Sequence, residues 1–205
     1  IKVSCLDFSD VNAFSRGKQK TKRGGIWYTC QSGIWQSVWL ESTPKIYLEK
    51  VKITPNYDES SVSFKYFGCD DVEVSIYDGD SLIAKTKDTT VSIPDFKSWS
   101  PESPFLYDVV FSACGEEIKS YFGMRKFSVG NDGKGVKRLF LNNKPYFHNG
   151  VLDQGYYPDG LLTPPANDAM KYDVEYVKSA GFNMIRKHIK VEPLLWYHYC
   201  DVNGI

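Results

Sequence analysis

The chain has 205 residues, and its 25 Lys+Arg are balanced by 25 Asp+Glu, so no global field draws it to nucleic acid or to an anionic membrane. Hydrophobic residues make up 42% and aromatics 15%, ample for packed cores, yet no apolar run reaches the ~18 residues of a bilayer-crossing helix. The length exceeds one typical domain and falls short of a complete α/β barrel with added modules, so at least two units are expected.

Residues 1–42 open with a short apolar run, continue through a polar loop holding Arg16, Lys18, Lys20, Lys22 and Arg23, and end in GGIWYTCQSGIWQSVWLE. Two glycine-punctuated strands are expected in this last stretch. Along GIWQSVWLE, Ile34, Gln36, Val38 and Leu40 share one face and Trp35, Ser37, Trp39 and Glu41 the other, so both faces carry bulk and the strand reads as sandwiched. Trp27, Trp35 and Trp39 read as core packing ahead of a sugar-stacking platform. The basic residues alternate with small polar ones and read as a solvated loop. Too few strands are present to close a sandwich, so the segment is expected to be the tail of a larger β-domain.

Residues 43–129 repeat short period-two apolar stretches: Val51 and Ile53; Val62, Phe64 and Tyr66; Val72, Val74 and Ile76; Val91 and Ile93; Leu106, Val109 and Phe111. Turn signals at Asp58-Glu59-Ser60 and Asp78-Gly79-Asp80 separate them. About seven strands in such a span is the count of an immunoglobulin-like β-sandwich. Trp99, in WSPESPFLY, is expected to close one end. No catalytic constellation is visible, and a scaffold role is expected.

Residues 130–205 change pattern. A hairpin is expected from Arg138 through Asn142-Asn143-Lys144 into a second strand that ends at Asp153 and Gln154. Asn167 reads as an N-cap, Met170, Val174 and Val177 as the buried stripe of a helix, and Gly181 as its C′ glycine. FNMIRKH follows as a strand with Phe182, Met184, Arg186 and His188 on one face. In an α/β barrel the carboxyl ends of strands hold substrate, which would bring Arg186, His188 and Lys190 beside Asp153 and Gln154. A second helix is expected from Pro193 through Leu194, Trp196, Tyr197 and Cys200 toward Gly204.

Cys5, Cys30, Cys69, Cys114 and Cys200 show no CxxC spacing, and their odd number favours free thiols and a cytoplasmic setting; a Cys69–Cys114 bridge is the open alternative. His148, His188 and His198 have no ligand spacing, so no metal site is expected in these residues.

Taken in order, these segments resemble glycoside hydrolase family 2, the family of β-galactosidase, β-glucuronidase and β-mannosidase. SGIWQSVWLE resembles the closing strands of the family's sugar-binding jelly-roll domain, WSPESPFLY and FGMRKF its immunoglobulin-like domain and the exit from it, and LNNKPYFHNGVLDQG the start of its catalytic barrel. FNMIRKH and LLWYHYCDVNGI resemble the second βα unit. The resemblance implies a mainly β chain with an α/β tail: the end of a jelly-roll at 1–42, an immunoglobulin-like sandwich at 43–129, and the first two βα units of a truncated TIM barrel at 130–205.

It also implies retaining hydrolysis of a terminal β-linked sugar, with the β-galactosidase type ahead of the others. That chemistry needs two carboxyl groups about 5–5.5 Å apart. The family takes both from glutamates at the ends of its fourth and seventh barrel strands, so this chain is expected to be a fragment that lacks them and is inactive alone. Glu175 and Glu192 match neither position, and Glu192 reads as a helix-entry charge. For sugar binding the resemblance offers Gln154, where many members have a histidine, and Arg186, the arginine ending the second strand. Asp153 and His188 accompany them, although the usual R-x-S-H-Y-P is here Arg186-Lys187-His188-Ile189-Lys190. Arg186 also reads as one half of a buried ion pair, and Tyr156 and Tyr157 as loop packing or sugar stacking. No cofactor is expected here; a divalent cation of the intact enzyme would bind through downstream residues. The implied partners are a β-linked glycoside and, when intact, a second copy of the chain. The competing reading is a non-catalytic carbohydrate-binding or scaffold β-sandwich protein.

Overall fold

The computed structural model describes residues 1–11, 13 and 16–205. They are mainly β with two α-helices, and form two compact units. One holds Ile1–Leu40, Asn149–Cys200 and Ile205; the other holds Glu41–His148 and Asp201–Gly204.

The first unit begins with two short strands, β1 (Gln19–Lys20) and β2 (Tyr28–Thr29), paired in parallel. The strand expected over GIWQSVWLE does not form. Backbone becomes strand only where its N–H and C=O groups meet a neighbouring chain, and among the described residues this segment has no ladder partner. Val38, Trp39 and Leu40 are exposed, Trp39 at 72%, instead of sandwiched. The segment is tied down by side chains: Gln31 Nε2 donates to the Gly160 carbonyl at 3.2 Å, and Gln36 Nε2 to that of Val191 at 3.3 Å.

In the second unit, β3 (Lys50–Asn56), β4 (Ser61–Phe67), β5 (Val72–Asp78), β6 (Ser81–Thr86), β7 (Thr90–Ser92), β8 (Trp99–Ser100), β9 (Ser103–Pro104), β10 (Tyr107–Ala113) and β11 (Glu116–Phe122) follow in order. They make an antiparallel three-stranded sheet, β3-β4-β7, a four-stranded sheet, β11-β10-β5-β6, and the small β8-β9 pair. Alternation along β4, β5 and β10 sends Val62 and Phe64, Val72, Val74 and Ile76, and Val109 and Phe111 into one core. Phe111 is fully buried and meets Phe64 edge-on at 5.5 Å. Both expected turns are present: a short 3₁₀ turn at Tyr57–Glu59 and the β5-β6 hairpin at Gly79. Trp99 is buried beneath Arg125, whose guanidinium lies 4.3 Å from its ring.

The hairpin strands β12 (Phe127–Asn131) and β13 (Lys137–Leu141) pair antiparallel. The Asn142-Asn143 turn, with φ of 51° and 63°, then leads into β14 (Lys144–Pro145). The second strand is shorter than expected, because its continuation β15 (Gly150–Asp153) belongs to the first unit and pairs elsewhere. There β15, α1 (Asn167–Ser179), β16 (Met184–Lys187) and α2 (Leu194–Asn203) form a β-α-β-α run, with β15 and β16 parallel. Ala166 is the N-cap, one residue before the expected Asn167. Met170 and Val174 of α1 pack with Trp196 and Cys200 of α2 and with Ile185 of β16. Val177 is only half-buried.

Asp132 organises the β12-β13 turn: its carboxylate accepts the backbone N–H groups of Val136 and Lys134, both at 2.9 Å. These bonds, Val136 first, hold its pKa below the ordinary 3.8. A carboxyl with a depressed folded pKa stabilises the turn above the ordinary value, and that contribution is lost as pH falls through the lowered one. In an NMR acid titration the Lys134 and Val136 amide resonances should therefore move together below pH 3.8, and Asp132→Asn should abolish that movement.

Candidate functional site

The parallel register sets Leu152 opposite Arg186 and Asp153 opposite Lys187. Because Ile185 packs on the helices, the pleat turns Lys187 toward them as well; its Nζ lies 4.4 Å from the Trp196 ring centroid. Leu152 and Arg186 take the opposite face, and both are exposed. The four residues expected at a sugar site are therefore divided. Asp153 goes with Lys187 on the helix side, while Arg186 is exposed and so is not half of a buried ion pair. His188 is half-buried, its backbone N–H bonded to the Asp153 carbonyl at 2.8 Å. Burial first, then the charges of Lys18 and Arg186, hold its imidazole pKa below 6.5, which keeps it neutral at pH 7.

Gln154 leads into a different environment. Tyr28 Oη donates to its Oε1 at 2.6 Å, Tyr28 stacks on Tyr156 at 4.4 Å, and Tyr156 Oη donates to the Thr29 carbonyl at 2.8 Å. Tyr156 thus packs against its own unit, and Tyr157 Oη donates to Asp173 Oδ2 at 3.1 Å. Gln31 and Thr163 complete the join: Leu162 N–H donates to Gln31 Oε1 at 2.8 Å, and Thr163 Oγ1 to the Trp35 carbonyl at 3.0 Å.

Arg16, Lys18, Tyr28, Trp35, Gln154 and Lys190 are among the residues lining a cavity of about 190 Å³. Among the described residues no carboxylate lines it. The basic loop is therefore only partly solvated, contrary to expectation. Lys18 and Lys20 lie over aromatic side chains, with Lys20 Nζ 4.3 Å from the Trp27 ring and Lys18 Nζ 5.9 Å from the Tyr28 ring. Trp35 is likewise a wall of the cavity instead of core. Such a site can stack on an apolar sugar face, hydrogen-bond hydroxyls and attract negative charge; its described residues include no acid–base pair.

Beneath the loop lies an ion cluster that the sequence did not suggest. Lys187 pairs with Asp153 and with Glu192 at 2.9 Å, and Lys190 pairs with Glu192 at 3.0 Å. The Glu192 side chain is fully buried, and those of Lys187 and Lys190 are 8% and 3% exposed. Glu192 is thus the counter-ion of two buried lysines, not a helix-entry charge. Burial, outweighing Glu192, pushes the Lys190 pKa down. Lys190 Nζ also donates to the Gly155 carbonyl at 2.5 Å, fastening the residue after Gln154. Lys190 is therefore as much a strut as a wall. The only advance signal was the spacing of Lys187, Lys190 and Glu192 just after a strand end. Among the described residues no group of three or more His, Cys, Asp or Glu is placed to hold a metal.

The sequence profile of "Glycosyl hydrolases family 2" matches residues 45–125. The chain is 29% identical over 208 residues to a β-galactosidase of Photobacterium profundum, covering 85% of this chain and 20% of that protein. It is 23% identical over 196 residues to a β-galactosidase of Streptococcus thermophilus, covering 84% and 18%. Among solved structures, a β-glucuronidase of Faecalibacterium prausnitzii superposes with a TM-score of 0.67 at 26% identity, covering 80% of this chain and 27% of that one. The chain thus spans about a fifth of the length of these two curated relatives.

Gly155 has φ of +58°, and a Cβ there would strike Glu192 Oε1 and come within 2.9 Å of Lys190 Nζ. Gly155→Ala should therefore spread the ion cluster as well as strain the backbone, lowering stability by about 2–4 kcal/mol in urea unfolding. A loss below about 0.5 kcal/mol would mean that the cluster yields freely.

Proposed function

We propose that the chain belongs to glycosyl hydrolases family 2 and is part of a retaining β-glycosidase that acts on terminal β-linked sugars, a reading supported by the family profile over residues 45–125 and by the β-galactosidase relatives. In this reading 1–42 closes a jelly-roll sugar-binding domain, 43–129 is an immunoglobulin-like scaffold, and 130–205 opens a TIM barrel. The seven strands of two antiparallel sheets support the second assignment, and the parallel β15-α1-β16-α2 run supports the third. The catalytic glutamates belong to the part of the family's length that this chain does not span, so these residues bind and do not cleave.

The observation that carries the proposal is the polar end of the parallel strand pair. Gln154 enters a cavity walled by aromatic and cationic side chains, while Arg186 and His188 follow from the neighbouring strand. Gln154 would donate to a sugar hydroxyl while Tyr28 fixes its carbonyl oxygen, and neutral His188 would offer a further polar contact. Arg186 would meet the sugar from the face of β16 turned away from the helices. Asp153 acts one step back, through Lys187. A homo-oligomer of the intact protein, and a divalent cation held by residues outside this chain, accompany this reading.

The names of the curated relatives favour a β-galactoside. A β-uronide is a second reading, favoured by Arg16 and Lys18 in a cavity wall whose described residues include no acid and by the β-glucuronidase structural relative. In the glycosidase carrying this chain, Arg186→Ala should lower kcat/KM for its preferred aryl β-glycoside about tenfold to a hundredfold, or ~1.4–2.7 kcal/mol. Comparing aryl β-galactoside with aryl β-glucuronide separates the two readings. The 205-residue chain alone should hydrolyse neither, and turnover by it would place a catalytic pair within these residues.

A further inference from the structure

Cys69 and Cys114 lie at one end of the sandwich, where the segment entering β5 passes the β10-β11 turn. Val72 and Ala113 are cross-strand partners, and Cys114 Sγ sits 2.9 Å from Cys69 Sγ. That separation lies between a covalent sulfur–sulfur bond, about 2.05 Å, and ordinary non-bonded contact. Cys69 is buried, whereas Cys114 is exposed.

The turn supplies an independent observation. Ala113 pairs with Glu116, leaving Cys114 and Gly115 as a two-residue loop with φ of 54° and 82°. Two positive φ values define the type I′ hairpin turn, whose first position favours Asn or Asp and penalises residues that enter the left-handed region poorly. A cysteine occupies that position and directs its sulfur at another cysteine. Local turn chemistry does not account for the choice; the pairing does.

The surroundings select a reagent. Asp71, Glu73, Glu116 and Glu117 line an open groove beside Cys114 with Lys87. Lys87 pairs with Asp71, and Lys85 with Glu73, so four carboxylates face two ammonium groups and a cationic reagent is concentrated over an anionic one.

We propose that Cys69 and Cys114 form an oxidative modification site, closed to an intrachain disulfide by exchange with a small cationic disulfide. The thiolate of exposed Cys114 attacks one reagent sulfur, breaking its S–S bond and releasing a first thiolate. Cys69 then gives up its proton and attacks Cys114 Sγ, expelling the second. Two electrons pass to the reagent, which leaves as two thiols, and the new bond ties together positions 45 residues apart. The hydrogen bond to Cys69 is the leading cause that pushes the Cys114 thiol up to about 11, so closure is slow at neutral pH and quickens as pH rises.

The test treats the full 205-residue chain with cystamine or with oxidised glutathione and follows it by peptide mapping. A peptide joining Cys69 to Cys114 is expected, about 2 Da lighter than the two thiol peptides together. Cystamine should form it several-fold faster than glutathione disulfide at low salt, with the difference collapsing near 1 M salt. Cys69→Ser should stop at a Cys114–cysteamine mixed disulfide, and Cys114→Asn, which suits the turn, should form no bridge and remain folded. A wild-type chain that yields no linked peptide, or that stops at the mixed disulfide, overturns the proposal. Equal rates for the two reagents at low salt overturn the choice of a cationic one.

Discussion

Three charged side chains, Lys187, Lys190 and Glu192, are withdrawn from water under the loop that carries Gln154, with the partly exposed Asp153 completing their cluster. Each would be costly alone, since an uncompensated buried charge loses several kcal/mol of hydration. Together they are matched two to two, and the ammonium of Lys190 has a hydrogen remaining for the Gly155 carbonyl. The cavity wall depends on that arrangement. The cluster fixes the chain at Asp153 and Gly155, leaving Gln154 between them to meet Tyr28. Gly155 is the steric condition for it, because any side chain would occupy the space of the Glu192 carboxylate.

The division of labour around the parallel strands follows from the pleat. Residues facing the helices, Asp153 and Lys187, are neutralised and structural. Arg186 faces away and is exposed, and Gln154 opens on the cavity. A strand end can therefore hold a strong ion pair and a polar binding surface within a few residues.

Parts of this were legible in the sequence because burial leaves a period. Strands β4, β5 and β10 and the Met170/Val174 stripe of α1 bury one face each, and their apolar residues recur at spacing two or four. Strands β6 and β11 are hard to read from the sequence because they are the edges of the four-stranded sheet, bury few of their residues and carry little alternation. GIWQSVWLE misled in the other direction, since an apolar extended pattern signals a strand only when a neighbouring backbone is there to receive it. The candidate site was legible as residue types and not as geometry. Gln154, Arg186 and His188 stood at a strand end, but Tyr28 meets Gln154 across 126 residues, a pairing no local pattern encodes. Charged residues in a loop resemble solvated ones until their counter-ions are known, and the partners of Glu192 and of the Arg16–Lys20 stretch come from the fold and not from the local sequence.

Whether the ion cluster holds the Gln154 loop in place can be read from amide hydrogen exchange in Glu192→Gln. Removing one charge leaves two buried ammonium groups sharing Asp153. Exchange across residues 153–157 should accelerate at least about tenfold while the sandwich strands β3 to β11 keep their protection. Unchanged protection at 153–157, or an equal loss throughout both units, would contradict it.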